Sequence, residues 1–585
     1  MKRTRFLAVF ARSNETRSKW EVRLDELVAC KPELRWILKY GPLLIVAAGG
    51  NAEAISEQKV LIGSLFERVG GDSRSRELGG VPQDTTDWHE KLIEHAWGGY
   101  VAFELDRTCK KVSVLRAPLG DLPCFWTQAR DAVLLGSDLD FMMAAGLPRP
   151  SIDRAALVRY LAQEDLRTNE TCLMGIAEIR GGDQLTLTAN GEGKRETLWS
   201  PWTFACSEQT ADACDYLERA VRDAAIWCTD KLAKKQGKVV LKLSGGLDSS
   251  IVAACLKEGG HKFTAINLVT HDASGDERTH ARAVATSLGA PLVEEFRDWS
   301  AVSLGQSTAA LLSRPQARGF TQETARICAK VAAQEEAGAI FDGGGGDNVF
   351  CSVQSARPAA DCLMTQDPDA SFWRTATSIA ELAQVGLWQV ARRAWSIRLR
   401  RSPAYRWDLD MRFLSKEACQ EEVRAFAHPW LMPPSGTFPG KAAHVALLAA
   451  AQSVIEGFDP ADDLPTFSPL IVQPVVEACL AIPSWSWFEA GRNRAAARRA
   501  FAGMLPTATL ERRSKGAPDS FIAELYEANH ALIRAMLLDG TLMNMKLLDA
   551  TSLSDALDDP SPVRGHDFLR IMRFVDAEAW SRSWS

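Results

Sequence analysis

What the chain lacks narrows its class first. Its thirteen cysteines include no C-x-x-C pair, and its nine histidines include no H-E-x-x-H spacing. A structural zinc site or a zincin centre is therefore not expected. Scattered through 585 residues, the cysteines read as reduced, mostly buried thiols of a cytoplasmic protein. The basic start Met1-Lys2-Arg3-Thr4-Arg5 is followed by no apolar stretch of the secretory type. The longest apolar run, near 445–455, contains Gln452 and Ser453 and is too short to span a bilayer. Positive charge is not in excess. The 68 Lys and Arg against 74 Asp and Glu leave −6, which argues against a nucleic-acid partner. Fixed-period repeats and low-complexity tracts are also missing. Tyrosine is scarce at 6, whereas tryptophan reaches 18, an inversion that invites the question of where the indoles sit.

What is present is ordinary globular composition, 46% hydrophobic and 24% charged, in a chain long enough for two large domains or several small ones. The first 200 residues read as short strands and turns. Strands are expected over 101–105, 112–115 and 132–135, an N-capped helix after Ser151-Ile152-Asp153, and a turn into a strand over 179–187. Residues 198–207 read as a linker. From about 211 the pattern changes to a long helix (211–235), then strand 238–243, helix 249–257, strand 262–269, helix 276–288 and strand 291–295, with a further strand over 339–342. That alternation predicts a doubly wound parallel sheet. Residues 370–585 read as mainly helical, broken by proline-rich stretches at 429–439 and 460–474.

Two glycine-rich strings carry the chemistry. Leu243-Ser244-Gly245-Gly246-Leu247-Asp248-Ser249-Ser250 lies between an expected buried strand and an expected helix. Its glycines admit close main-chain approach, the helix start offers unpaired N–H groups, and three serines add hydroxyls. That is a cradle for an anion of pyrophosphate size. Asp248 repels a bare phosphate, so its presence implies a bridging cation, Mg²⁺. In Asp342-Gly343-Gly344-Gly345-Gly346-Asp347-Asn348, four consecutive glycines after a strand suggest a ligand touching main chain, and Asp347 supplies a second carboxylate.

The first string resembles the PP-loop of the N-type ATP pyrophosphatases, which implies ATP as cofactor and AMP plus pyrophosphate as products. The chain resembles the asparagine synthetase superfamily over nearly its whole length. The resemblance implies an N-terminal glutaminase-like (Ntn-type) α+β domain over 1–205 and a synthetase domain over 206–585. Asp248 and Asp347 match that family's Mg²⁺-binding aspartates, and Leu268, ending the second sheet strand, falls where the family binds adenine through backbone. Leu505-Pro506 followed by Arg512-Arg513-Ser514-Lys515-Gly516 resembles its R-x-K stretch, whose lysine contacts the α-phosphate. Arg494 falls near a phosphate-contacting lysine of the family, but Arg492, Arg498 and Arg499 crowd it and favour a solvated basic face. Asp276-Glu277 reads equally as a helix start or as an acid behind the site.

The N-terminal layout is also similar to the family: Gly98-Gly99-Tyr100, Arg116-Ala117-Pro118-Leu119-Gly120 and Leu135-Gly136-Ser137-Asp138. The family's nucleophile is a cysteine at mature position 1, whereas Lys2 follows Met1 here and the nearest cysteine is Cys30. Ala117 also replaces an acid. Glutamine hydrolysis is not expected, so the amine must arrive on the substrate. His428-Pro429-Trp430-Leu431, Pro439-Gly440-Lys441 with His444, and Ser468-Pro469-Leu470 resemble lasso peptide cyclases. That resemblance implies a precursor peptide as substrate and its Asp or Glu side chain adenylated, then joined to the N-terminal amine. The partners it implies are a leader-binding protein and a cysteine-protease-like leader peptidase. Two other readings stay open: a β-lactam-synthetase-like or ammonia-dependent enzyme on a small amino acid, and a non-catalytic peptide scaffold. Trp430, Trp485 and Trp487 stand near the distinguishing motifs as candidate pocket walls, with core packing the alternative.

Overall fold

The computed structural model describes residues 3–68, 87–206, 214–272, 275–400, 405–422, 428–455, 464–513, 519–559 and 565–585. The first strand, Arg5–Ala11, shows how the N-terminal layers form. Its side chains alternate between two faces, and both faces are buried. Phe6, Ala8 and Phe10 point into a core shared with a second sheet, where Phe6 meets Phe103 edge-to-face at 5.7 Å. Leu7 and Val9 face the other way, onto Trp20, Leu24 and Leu27 of helix Asn14–Cys30. That helix begins with a capping box between Ser13 and Thr16.

Two six-stranded antiparallel sheets therefore stack on one another. The expected pair around 106–111 is present, with Val101 opposite Arg116 and Leu105 opposite Val112. The outer face of the second sheet is covered from the C-terminal half. Trp97 and Leu115 join Val221, Ala225 and Leu232 of helix Cys214–Gln236, and Trp97 lies 5.6 Å from Trp227. The expected start of this helix, at 211, falls outside the described residues.

The third sheet is parallel throughout, in the order Leu292–Phe296, Phe263–Val269, Val239–Lys242, Ala339–Phe341, Thr466–Phe467. Period-2 alternation again buries both faces. Val239 and Leu241 pack against helix Leu247–Glu258, and Val240 packs against Ile327, Cys328 and Val331 of helix Thr321–Gln334. Helices on both faces make the sheet doubly wound, as expected. The last strand was hidden inside the proline-rich 460–474 stretch, because two residues give no periodicity to read. Strand order reverses between Val239–Lys242 and Ala339–Phe341, and a crevice opens there at the carboxyl ends.

One buried carboxylate ties the halves together. Glu178 receives Arg116 at 2.8 Å, Arg167 at 2.5 Å and, from the C-terminal half, Arg314 at 2.5 Å. All four side chains are at most 5% exposed. Burial alone raises the Glu178 carboxyl, but Arg167, Arg314 and Arg116 outweigh it and bring it down to about 2. Glu477 makes a second tie, accepting both ends of the Arg68 guanidinium at 2.8 Å and the Trp199 indole at 2.8 Å. Glu178→Gln removes the carboxylate that three buried guanidiniums share and is expected to cost about 3–5 kcal/mol in chemical denaturation. Because the folded carboxyl lies below its ordinary value of about 4.3, its stabilisation is complete above that pH and is lost toward pH 2. Wild type but not the variant should show that acid-limb loss.

Candidate functional site

The first glycine loop leaves strand Val239–Lys242 and enters helix Leu247–Glu258. Gly245 has φ +69°, and a Cβ there would stand 2.4 Å from the His280 carbonyl carbon. Gly246 is the N-cap and supplies no side-chain acceptor, so the first N–H groups of the helix face the crevice uncapped. Ser244 and Ser249 share a hydroxyl contact at 3.2 Å, and Ser249 accepts from the Ser244 N–H. Ser250 differs from the expectation: it is fully buried and donates its hydroxyl to the Gly246 carbonyl at 2.7 Å, bracing the turn from inside. Leu243 and Leu247 are buried anchors on either side.

The second loop explains its glycines by contact with the first. A Cβ on Gly343 would lie 2.6 Å from the Ser249 nitrogen, and one on Gly346 would lie 2.6 Å from the Asp248 Cβ. On Gly344 it would lie 2.7 Å from the Ser468 hydroxyl, and Gly345 needs φ +73°. Gly343 and Gly346 are thus pressed against the protein's own first loop, and Gly343 and Gly344 also line the cleft where the sequence suggested a ligand. Asp342 closes the floor, 2.7 Å from Lys242 across the strand reversal, and accepts from Ser468 and from the Gly344 N–H. Burial alone raises its carboxyl, but Lys242 holds it below the ordinary range.

This packing brings Asp248 and Asp347 to one point, and Arg494 occupies it. A single guanidinium nitrogen of Arg494 lies 3.1 and 2.9 Å from the two Asp248 oxygens and 2.5 Å from Asp347. The expectation of a solvated basic face is corrected here. The Arg494 side chain is 12% exposed, and its backbone is left-handed (φ +57°) at the start of helix Ala495–Ala500. Arg498 donates to the carbonyls of Asn493, Leu510 and Arg512, and Arg499 binds Glu218 and Glu489. Spacing alone gave no sign of this, since three further arginines within the eight residues 492–499 mimic a surface run. The donor set suits a divalent cation, because two carboxylates at one position leave room for phosphate oxygens, as Mg²⁺ prefers. Among the described residues no group of three or more His, Cys, Asp or Glu gathers elsewhere as a metal site.

Both loops line an open cleft of about 1030 Å³ with Lys242, Ile266, Asn267, Leu268, Gly275, Glu277 and Arg297. Leu268 therefore sits in the cleft as expected. Asn267 spans the first two strands by donating to the Leu243 carbonyl at 2.9 Å. Asp276 accepts from the Arg278 N–H and guanidinium at the helix start, whereas Glu277 pairs with Arg512 at 2.8 Å. That pair carries the third motif to the cleft wall. Ser514, Lys515 and Gly516 lie outside the described residues.

The cyclase-like motifs pack behind the site. His444 bonds the Val349 carbonyl at 2.8 Å, and burial pushes it down to about 3. His428 accepts from the Trp430 N–H and is pushed down to about 4, again by burial. Both are buried, and neither lines the cleft. Gly440 donates its N–H to buried Asp361, and Lys441 donates to the carbonyls of Leu480 and Ile482. Trp430 and Trp487 are core residues. Trp485 lines a separate cavity of about 810 Å³ with Phe488, Asp367, Asp369, Arg374 and Arg499.

Comparison with known proteins agrees with this architecture. Residues 220–582 match the family model "Asparagine synthase", and residues 83–199 match "Glutamine amidotransferase domain". A curated relative, the tRNA-specific 2-thiouridylase MnmA of Salinibacter ruber, is 36% identical over 84 residues, covering 11% of this chain. The chain spans only 22% of that relative's length. Among solved structures, glutamine phosphoribosylpyrophosphate amidotransferase from B. subtilis is matched at 10% identity and a TM-score of 0.22. That match covers 52% of this chain and 83% of the other. The allosteric regulatory enzyme of purine biosynthesis is matched at 10% identity and a TM-score of 0.21, over 50% and 80%. Among the described residues no helix is long and apolar enough to cross a membrane.

Gly346→Ala is expected to force the two loops apart and lower stability by about 1–3 kcal/mol in thermal unfolding, as overpacking does. Gly503→Ala, with nothing within 4 Å of its Cβ, should change stability by less than about 0.5 kcal/mol. The fold is a glutamine amidotransferase-like N-terminal domain joined to an asparagine synthase domain, and the chain belongs to the asparagine synthase family.

Proposed function

We propose that this chain is an AMP-forming amide ligase that closes a macrolactam in a ribosomal precursor peptide. The observation that carries the ligase reading is the meeting of two glycine loops at the strand reversal. There Asp248 and Asp347 converge beside an uncapped helix start. On this reading the backbone of residues 244–246 and the first turn of helix Leu247–Glu258 hold the β,γ-phosphates of ATP. Asp248 and Asp347 would hold Mg²⁺, which supplies charge neutralisation as pyrophosphate leaves. Leu268 edges the adenine, and Lys515 stabilises charge at the α-phosphate, as the family resemblance implies. A peptide side-chain carboxylate attacks the α-phosphorus and pyrophosphate departs. The N-terminal amine then attacks the acyl-adenylate, an amide bond forms, and AMP departs.

Three features favour a tethered amine over ammonia. No thiol heads the first strand, where Arg3, Thr4 and Arg5 lead in, and Cys30 closes the following helix. Arg116 is committed to Glu178, and Ala117 stands where the family keeps an acid. The cleft is open to solvent, so a peptide could approach a nucleotide held there. Closing a ring of about eight residues costs only roughly 2 kcal/mol in loop entropy. Ordering a threaded tail costs on the order of 1–2 kcal/mol per residue, so the enzyme's main task is to hold a prefolded chain away from water. A leader-binding protein and a cysteine-protease-like peptidase would deliver that chain.

With MgATP and a candidate precursor peptide, the expected products are AMP, pyrophosphate and a peptide lighter by one water in mass spectrometry. Asp347→Ala should form none of them. Asparagine formation from aspartate and ammonia, or product from the variant at the wild-type rate, overturns the proposal.

A further inference from the structure

Arg297 is a buried cation with no hydrogen-bonded counter-ion among the described residues. It follows strand Leu292–Phe296, the edge of the parallel sheet, and its N–H bonds the Val269 carbonyl at 3.0 Å. The residue is 8% exposed and lines the cleft beside Leu268 and Glu277. Among the described residues its guanidinium makes no hydrogen bond or ion pair. Nε is buried with no acceptor, and the group lies over the Phe521 ring at 4.5 Å. Two acids act on it through charge without bonding it: Glu524, on the helix that carries Phe521, and Glu277 on the cleft wall, which pairs with Arg512. Burying a charge without a partner is costly, and the ring repays only part of that cost. A planar guanidinium backed by an aromatic face and open along its edge toward a cleft is the arrangement that grips an oxyanion with two parallel N–H bonds.

The phosphates of a nucleotide have their own cradle two strands away. Adjacent strands are about 4.8 Å apart, so the end of Leu292–Phe296 lies roughly 10 Å from the first glycine loop. Adenosine, which would run between the two along Leu268, carries no negative charge. We propose that Arg297 is a second anion anchor in this cleft, and that its ligand is a carboxylate of the acyl substrate. The choice of carboxylate over phosphate rests on the nucleotide reading above; the anion site itself does not. The cleft then takes two anions, one at each end, with the reacting centre between them. A substrate lacking the anchored carboxylate would be held only by its nucleotide partner and would be disfavoured.

The test reads Arg297 directly. The full-length protein is treated with phenylglyoxal, which needs an accessible guanidinium edge, and modification is mapped by peptide mass spectrometry. It is run alone, with saturating N-acetyl-L-glutamate as the carboxylate probe, and with saturating magnesium pyrophosphate as the phosphate probe. Arg297 is expected to label in the free protein. N-acetyl-L-glutamate should slow labelling about tenfold, as a bidentate charge-assisted pair would, and magnesium pyrophosphate should leave it unchanged. No labelling in the free protein, equal protection by pyrophosphate, or no protection by the carboxylate overturns the proposal. MgATP binding is followed separately by calorimetry. Failure to bind MgATP removes the nucleotide reading, whereas the labelling arms still decide whether Arg297 holds a carboxylate.

Discussion

The site depends on one steric constraint: between the two glycine loops there is no room for a side chain. Gly343 and Gly346 touch Ser249 and Asp248 at distances no Cβ tolerates. That contact, and not any single hydrogen bond, fixes where Asp248 and Asp347 stand. The doubly wound sheet makes it possible, because the strand reversal puts two strand ends side by side. Ser250 and Asn267 serve the same end. One braces the first loop from within, and the other bonds its carbonyl from the neighbouring strand.

Two carboxylates forced together need a cation. In this structure Arg494 supplies it, held over both by a left-handed backbone at the head of a short helix. Burial alone lowers the Arg494 guanidinium, but Asp248 and Asp347 outweigh it and raise its pKa. On the proposed reading, a divalent cation bound to phosphate would take the position between these carboxylates. The same logic holds the two halves together at Glu178, where one carboxylate gathers three guanidiniums from both sides of the interface. Both centres are cheap to keep while complete and costly to break.

Much of this was legible in the sequence because it is local. The strand, Gly-Gly turn and helix around 239–258 follow from composition and spacing, and so does the carboxylate at each of two strand ends. What escaped is what depends on distant approach. The four glycines read as a ligand contact, and Gly343 and Gly344 do line the cleft, but Gly343 and Gly346 also accommodate residues 249 and 248, about a hundred positions earlier. Arg494 looked like one of several surface arginines, and only tertiary structure singles it out. Strand Thr466–Phe467 is too short to show a period. Histidines 428 and 444, plausible as bases in a motif, are consumed by backbone carbonyls and N–H groups. The tryptophan excess resolves mostly into core, with Trp88, Trp97, Trp487 and Trp580 among the largest fully buried side chains.

The central claim is that both loops form one nucleotide site closed by a shared cation position. Hydrogen–deuterium exchange on the full chain, with and without MgATP, tests it most directly. The account predicts joint protection of the peptides covering residues 243–250 and 343–349, at the same nucleotide concentration. Protection of neither, or of one loop alone, would contradict it.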